Sequence, residues 1–203
     1  MIRRSATLLA PCLAGLLAAG CGGFLPRTKP SSFYVLNATA ELGAGPALPV
    51  ALGIGPVELP AYLDRPQVVT RLGTNQLDLS ENRRWAEPLQ KNVVDVLLLN
   101  LARELGTDRV TAFPFAMGLP RDYDVTVQFL RFEATASGEV RLEAYVRLLD
   151  GRSGQELKAN PVSYTRNVPP DDVAAATAAL SDAVGELSSD VAAVIRALHA
   201  ARS

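Results

Sequence analysis

The 203-residue sequence predicts an α/β fold: a mixed, mostly antiparallel sheet of about six to eight strands with two helices packed on one face. Three observations carry that prediction. Apolar and polar residues alternate with period two between Asp124 and Leu149. Two other stretches place apolar residues at helical spacing, and the first half of the chain is broken by Gly and Pro into short apolar runs.

The chain opens on a segment of a different kind. Arg3 and Arg4 precede an apolar run from Leu8 to Leu17, and Ala18, Ala19 and Gly20 are small enough for a signal peptidase cleft. Cys21 follows at once, in the order of a bacterial lipoprotein signal whose cleaved product carries lipid on the Cys21 thiol, although Ala18 stands where Leu is more common. The run contains Pro11 and falls short of the about 20 residues that a spanning helix needs. Residues 1–20 are therefore expected to be removed. Residues 21–32 form the lipidated cysteine and a Gly/Pro/Ser linker with a reach of at most about 35–40 Å, and residues 33–203 form a single periplasmic domain.

Within that domain Phe33–Leu36 reads as a first strand, followed by a small-residue loop over 37–49. Val50–Val57 is a strand in which Gly53 and Gly55 signal a bulge or a close backbone approach. A proline-bracketed loop over 58–66 leads to a hairpin of Gln67–Arg71 and Gln76–Leu79, turning at Gly73-Thr74-Asn75. Periodicity predicts a first helix from Trp85 to Leu105, with Pro88 in its opening turn and Gly106 as its C-terminal cap. Leu89, Val93, Val96, Leu97 and Leu101 share one face, while Val94, Leu98 and Leu105 widen it enough to need a second cover. Val110–Phe113 is a short strand, and the strands 124–132 and 139–149 form the clearest hairpin, turning at Ser137-Gly138. A turn over 150–154 and a last strand over 162–168 precede Pro169 and Pro170, after which Asp171 or Asp172 opens a helix to about residue 200. Val173, Thr177, Leu180, Val184, Leu187, Val191, Val194 and Leu198 form a narrow seam there. The seam fits a helix lying on the sheet or beside the first helix, or a self-associating coiled coil.

Composition excludes several function classes. Removing residues 1–20 leaves 18 basic against 21 acidic residues and no basic stripe, so nucleic acid is a poor partner. Cys12 leaves with the signal and Cys21 is lipidated, which leaves no thiol for a disulfide or a metal site. The only histidine, His199, lies near the end of the last helix. Gly53-Ile54-Gly55 lacks the third glycine and the helix of a dinucleotide site, and there is no G-x-S-x-G or P-loop. Asp64, Asp78, Glu81 and Glu87 are interleaved with Arg65, Arg71, Arg83 and Arg84, a pattern of ion pairing rather than acid–base catalysis. The chain reads as a non-enzyme without metal or cofactor.

The distinctive stretch lies between Val57 and Leu89. Tyr62 and Leu63 sit in a proline-stiffened loop, which loses little entropy on docking, and Trp85 is the only tryptophan. Tyr62, Leu63, Asp64, Arg65, Arg71, Trp85 and Glu87 are the candidate partner-binding residues. A core role for Tyr62 and Leu63, and a stapling role for Trp85, fit the sequence as well.

"LPAYLDRPQVVTR" at 59–71, followed by "RRWAEPL" at 83–89, resembles the PqiC-type lipoproteins, auxiliary components of ABC-type transport. "FYVL" at 33–36, "GIGPVELP" at 53–60 and "DYDVTVQFLRFE" at 122–133 extend the resemblance over nearly the whole mature chain, in the same order. The resemblance implies a membrane-attached periplasmic α/β domain working beside an MCE-domain protein and its permease. It also implies docking of the transport assembly at the outer membrane, with the lipoprotein as a homo-oligomer. The alternative is a lipoprotein regulator of a periplasmic cell-wall enzyme, which shares such linkers and small domains. A third class, a lipid-binding shuttle, requires an apolar cavity.

Overall fold

The computed structural model describes residues 30–41 and 47–202. The signal segment, Cys21 and the linker up to residue 29 lie outside the described residues, as do residues 42–46 of the expected 37–49 loop. Ser31–Ser203 form one compact unit.

The organising element is β6 (Tyr123–Thr135), whose alternation puts Val125, Val127 and Phe129 into the core. Along one edge it pairs antiparallel with β7 (Glu139–Asp150), which pairs in turn with β8 (Glu156–Asn167). Its other edge is shared by two strands in succession. β2 (Leu52–Glu58) runs parallel to Tyr123–Gln128, and β3 (Gln67–Gly73) runs parallel to Ala134–Thr135. β5 (Val110–Ala112) extends the β2 side in parallel. β4 (Gln76–Trp85) and β1 (Ser32–Tyr34) extend the β3 side. The sheet is thus mixed and has eight strands among the described residues. Its four parallel pairings are short, and the long ladders are antiparallel. The ladder between β6 and β7 shifts register between Phe129 and Arg131, in the stretch where β6 leaves β2 and has yet to meet β3.

Two helices cover one face. α1 (Leu89–Leu105) packs on β2 and β5, α2 (Val173–Arg202) packs on β6, β7 and β8, and the helices pack on each other. Gly106 closes α1 in the left-handed conformation, its N–H donating to Ala102 O, as a C-terminal cap requires. Asp172 caps α2 by accepting from the Ala175 N–H at 2.9 Å. Two buried asparagines on α1 act as the edge of a strand would. Asn92 accepts from Leu36 N at 2.7 Å and donates to Leu36 O at 3.2 Å, while Asn100 Oδ1 accepts from Thr39 N and Ala40 N at 3.0 Å each. The extended segment after β1 is thereby held to the helix without joining the sheet.

Several expectations need correction. Trp85 ends β4 rather than starting a helix. Its backbone pairs with Tyr34 of β1 and donates to Pro66 O, so α1 begins after Pro88. β4 and β8 are longer than their apolar residues suggested, because neighbouring backbones claim Arg83 and Arg84 and the stretch 156–161. The wide apolar face of the first helix finds much of its second cover within the chain. Leu105 is fully buried, Val94 and Leu98 pack against the core, and the α2 seam from Val173 to Val191 is buried. Of the two roles open to that seam, packing against the sheet and α1 is the one observed.

Gly53 and Gly55 do mark a close approach. A Cβ on Gly53 would stand 2.7 Å from Phe115 Cζ and 2.8 Å from Arg121 Cδ, and would collide with the Asp124 carboxylate. The β5–β6 connection lies directly on the backbone there, on the side of β2 opposite the buried Leu52 and Ile54.

Candidate functional site

The chain between β2 and β3 bridges the break along the β6 edge. Pro60 and Pro66 bracket a single 3₁₀ turn, Ala61–Leu63, closed by Leu63 N donating to Pro60 O at 2.9 Å. So tight a turn sends adjacent side chains in different directions. Leu63 enters the core at 2% exposure, facing the same small cavity as Val68, Trp85 and Phe132. Tyr62 reaches a carboxylate instead, its hydroxyl donating to Glu133 Oε2.

Glu133 is the centre of a charged cluster. Its side chain is 1% exposed, Arg71 Nε lies 2.5 Å from Oε1, and Arg131 Nε lies 3.5 Å from the same oxygen. The Arg71 guanidinium also sits 5.8 Å from the Tyr62 ring centroid. Burial, and then the bond to Glu133, pushes the Tyr62 phenol up to about 12. Glu133 in turn holds the proton on Arg71 more firmly than usual. The cluster borders an open polar groove of about 750 Å³, lined among others by Arg71, Arg131, Glu139 and Arg141. Arg141 is itself paired with Glu139 and Glu143.

A second concavity is built from the two motif segments. Asp64, Arg65 and Pro66 face Trp85, Glu87 and Pro88 across an open cleft of about 370 Å³. The 2.8 Å bond from Trp85 N to Pro66 O ties the two walls together. Glu87 is paired with Lys91 at 3.1 Å, whereas Arg65 Nε is buried without a hydrogen-bond partner. Trp85 is only 7% exposed, so it supplies the floor rather than a free aromatic anchor.

The structure therefore divides the seven candidate residues. Asp64, Arg65, Trp85 and Glu87 share the cleft, Tyr62 and Arg71 meet at Glu133, and Leu63 is core. Sequence reasoning missed Glu133 and Arg131 as members of the cluster. The signal was present, since both lie at the end of the 122–133 motif and Glu133 is an acid within an apolar-alternating strand. Among the described residues no group of three His, Cys, Asp or Glu side chains is placed to hold a metal ion. No helix among them is long and apolar enough to cross a membrane. The apolar groove between α2 and the β7–β8 strands has a volume of about 60 Å³, room for a few water-sized molecules and far short of an acyl chain.

Residues 34–192 match the family model described as ABC-type transport auxiliary lipoprotein component. No curated protein sequence matches the chain. Two crystal structures share its fold. One is a protein of the DUF330 family from Xanthomonas campestris, with a TM-score of 0.71 at 17% identity, covering 85% of this chain and 100% of that one. The other is an uncharacterised protein, with a TM-score of 0.67 at 21% identity, covering 82% of this chain and 99% of that one.

Proposed function

Because the chain belongs to the family of ABC-type transport auxiliary lipoprotein components, we propose that it is the non-enzymatic docking subunit of an MCE-type intermembrane lipid transport system. In this reading Cys21 carries the lipid that holds the domain at the periplasmic face of the outer membrane. The 64–66 and 85–88 walls receive the MCE-domain protein, and the permease completes the assembly.

The observation that carries the reading is the cleft itself. The two motif segments on either side of the β3–β4 hairpin close around it, and both walls are proline-stiffened. Arg65 is part of that lining, and arginine is enriched among the residues that dominate interface energies. The small size of the α2 groove argues against a lipid-carrying shuttle.

The test is affinity capture of the intact lipidated protein from membranes, with mass spectrometry of what is retained. Wild type should retain an MCE-domain protein and its permease. Arg65→Glu should lose them by roughly thirtyfold, as expected for a central interface residue worth about 2 kcal/mol, while keeping the native melting temperature. Recovery of a cell-wall synthase in their place would establish the regulator reading. Cys21→Ala should abolish incorporation of a palmitate analogue; undiminished labelling would remove the anchor from the model.

A further inference from the structure

The connection between β5 and β6 contains the longest exposed apolar run among the described residues. From Ala112 to Pro120 the sequence is Ala-Phe-Pro-Phe-Ala-Met-Gly-Leu-Pro, without one polar side chain. All of these residues except the partly buried Phe115 are exposed. Met117 is fully exposed, and Phe113 and Leu119 are each about half exposed. A loop normally carries Gly, Asn, Asp or Ser to satisfy water, so nine consecutive residues without a polar group need a reason.

Both ends of the run are fixed. Phe113 N donates to Ile54 O at 2.8 Å, and the Phe113 ring meets Phe115 edge-on at 5.5 Å. The Arg121 guanidinium lies 4.0 Å from the Phe115 ring centroid and pairs with Asp124 at 2.7 Å. Asp122 accepts from Ala51 N at 2.8 Å. Phe115 thus serves as the peg that seats the loop over Gly53, and the tip from Ala116 to Pro120 is presented on a rigid base. The ionic groups at that base are already paired, Arg121 with Asp124 and Arg152 with Asp122, so they call for no charged partner.

We propose that this tip enters the interfacial layer of a lipid bilayer, as a contact separate from the lipid anchor. The proposal rests on the family reading only in taking the chain to be held at a membrane. A protein surface would be met with about one hydrogen bond per 100–200 Å², and the run offers no side-chain donor or acceptor to make one. Hydrocarbon asks for none. The backbone N–H and C=O groups of the tip limit its depth, because unsatisfied amides are expelled from the bilayer core. Insertion therefore stops about 5–10 Å into the headgroup and upper acyl region.

The test uses the full-length lipoprotein carrying Met117→Cys, labelled with an environment-sensitive fluorophore. It is reconstituted into vesicles of phosphatidylethanolamine and phosphatidylcholine containing nitroxide-bearing lipids. Asn75→Cys, in the turn between β3 and β4 at the other end of β6, serves as the reference. The label at 117 should be quenched by the lipid nitroxide about threefold more than the label at 75, be sheltered from aqueous iodide, and stay so at high salt. Equal iodide access at the two sites overturns the proposal. So does a label at 117 that is sheltered from iodide yet beyond reach of the lipid quencher, since that is the signature of a protein contact. Flotation of the vesicles separates the two readings. Protein that floats with residue 117 in water overturns only the loop insertion, and protein that fails to float overturns the anchoring as well.

Discussion

At Glu133 a carboxylate almost closed to solvent is held by two arginines and a phenol drawn from three parts of the chain. Removing one partner of such a cluster is more damaging than its net contribution suggests, because the remaining charges stay buried. Glu133→Ala should cost about 3–5 kcal/mol, read as a fall in the urea midpoint. Tyr62→Phe removes a single donor to a charged group and should cost about 1.5–3 kcal/mol. The tyrosine also sets a pH dependence. Its value in the fold, about 12, lies above the ordinary 10.0, so the folded chain keeps the phenol proton longer than the unfolded chain does. That stabilisation is complete below pH 10 and is lost as the pH climbs through about 12. Tyr164, raised by burial and by its bond to Asp190, adds a decline of the same sign. Tyr62→Phe should therefore flatten part of the alkaline loss of stability, and an unchanged slope in urea midpoints across that range would contradict the assignment.

Among the elements, α1 does more than cover the sheet. Its Asn92 supplies both the acceptor and the donor that a neighbouring strand would have given Leu36. Asn92→Ala leaves two buried backbone groups unpaired and should cost about 2–4 kcal/mol, with hydrogen exchange at Leu36 accelerating ahead of exchange in β6. Exchange that quickens equally across the molecule would mean that the segment is not separately held. Such pairings explain which elements the sequence disclosed. β6 and β7 were legible because each buries one face, so Val125 to Phe129 and Val140 to Leu148 alternate. β4 beyond Leu79 was not legible, since Ser80 to Arg84 has no buried face and its pairing with β1 begins only at Arg83. The cleft was half legible. Its motif segments were marked by Pro66, Trp85 and Pro88, but whether Leu63 and Trp85 face out or in depends on Phe132 and α2, which local spacing does not report. Glu133 looked like any polar position of an alternating strand until Tyr62, 71 residues away, was brought against it.

For the whole molecule, the sheet ends at β1 on a strand of three residues with Phe33 strongly exposed and Val35 beside it. If the domain forms the homo-oligomer that its sequence resemblance implies, this edge is one exposed apolar surface open to it, apart from the β5–β6 tip. Light scattering coupled to size exclusion should give a multiple of the monomer mass for wild type and a lower mass for Phe33→Glu at an unchanged melting temperature. A monomer in both would end the oligomer proposal. The branched pairing of β6 has a further consequence, for the order in which the chain matures. A chain emerges from the ribosome amino-terminus first, so β2 and β3 are made long before the strand that both must join. Through that interval β2, with Leu52 and Ile54, lacks the strand it pairs with over most of its length, whereas β3 can at once form its hairpin with β4. β6, β7 and β8, by contrast, are consecutive neighbours and can zip as soon as they appear. Pulsed hydrogen exchange during refolding should find their amides protected before those of β2, the last-synthesised part of the sheet acting as the template on which the first is laid.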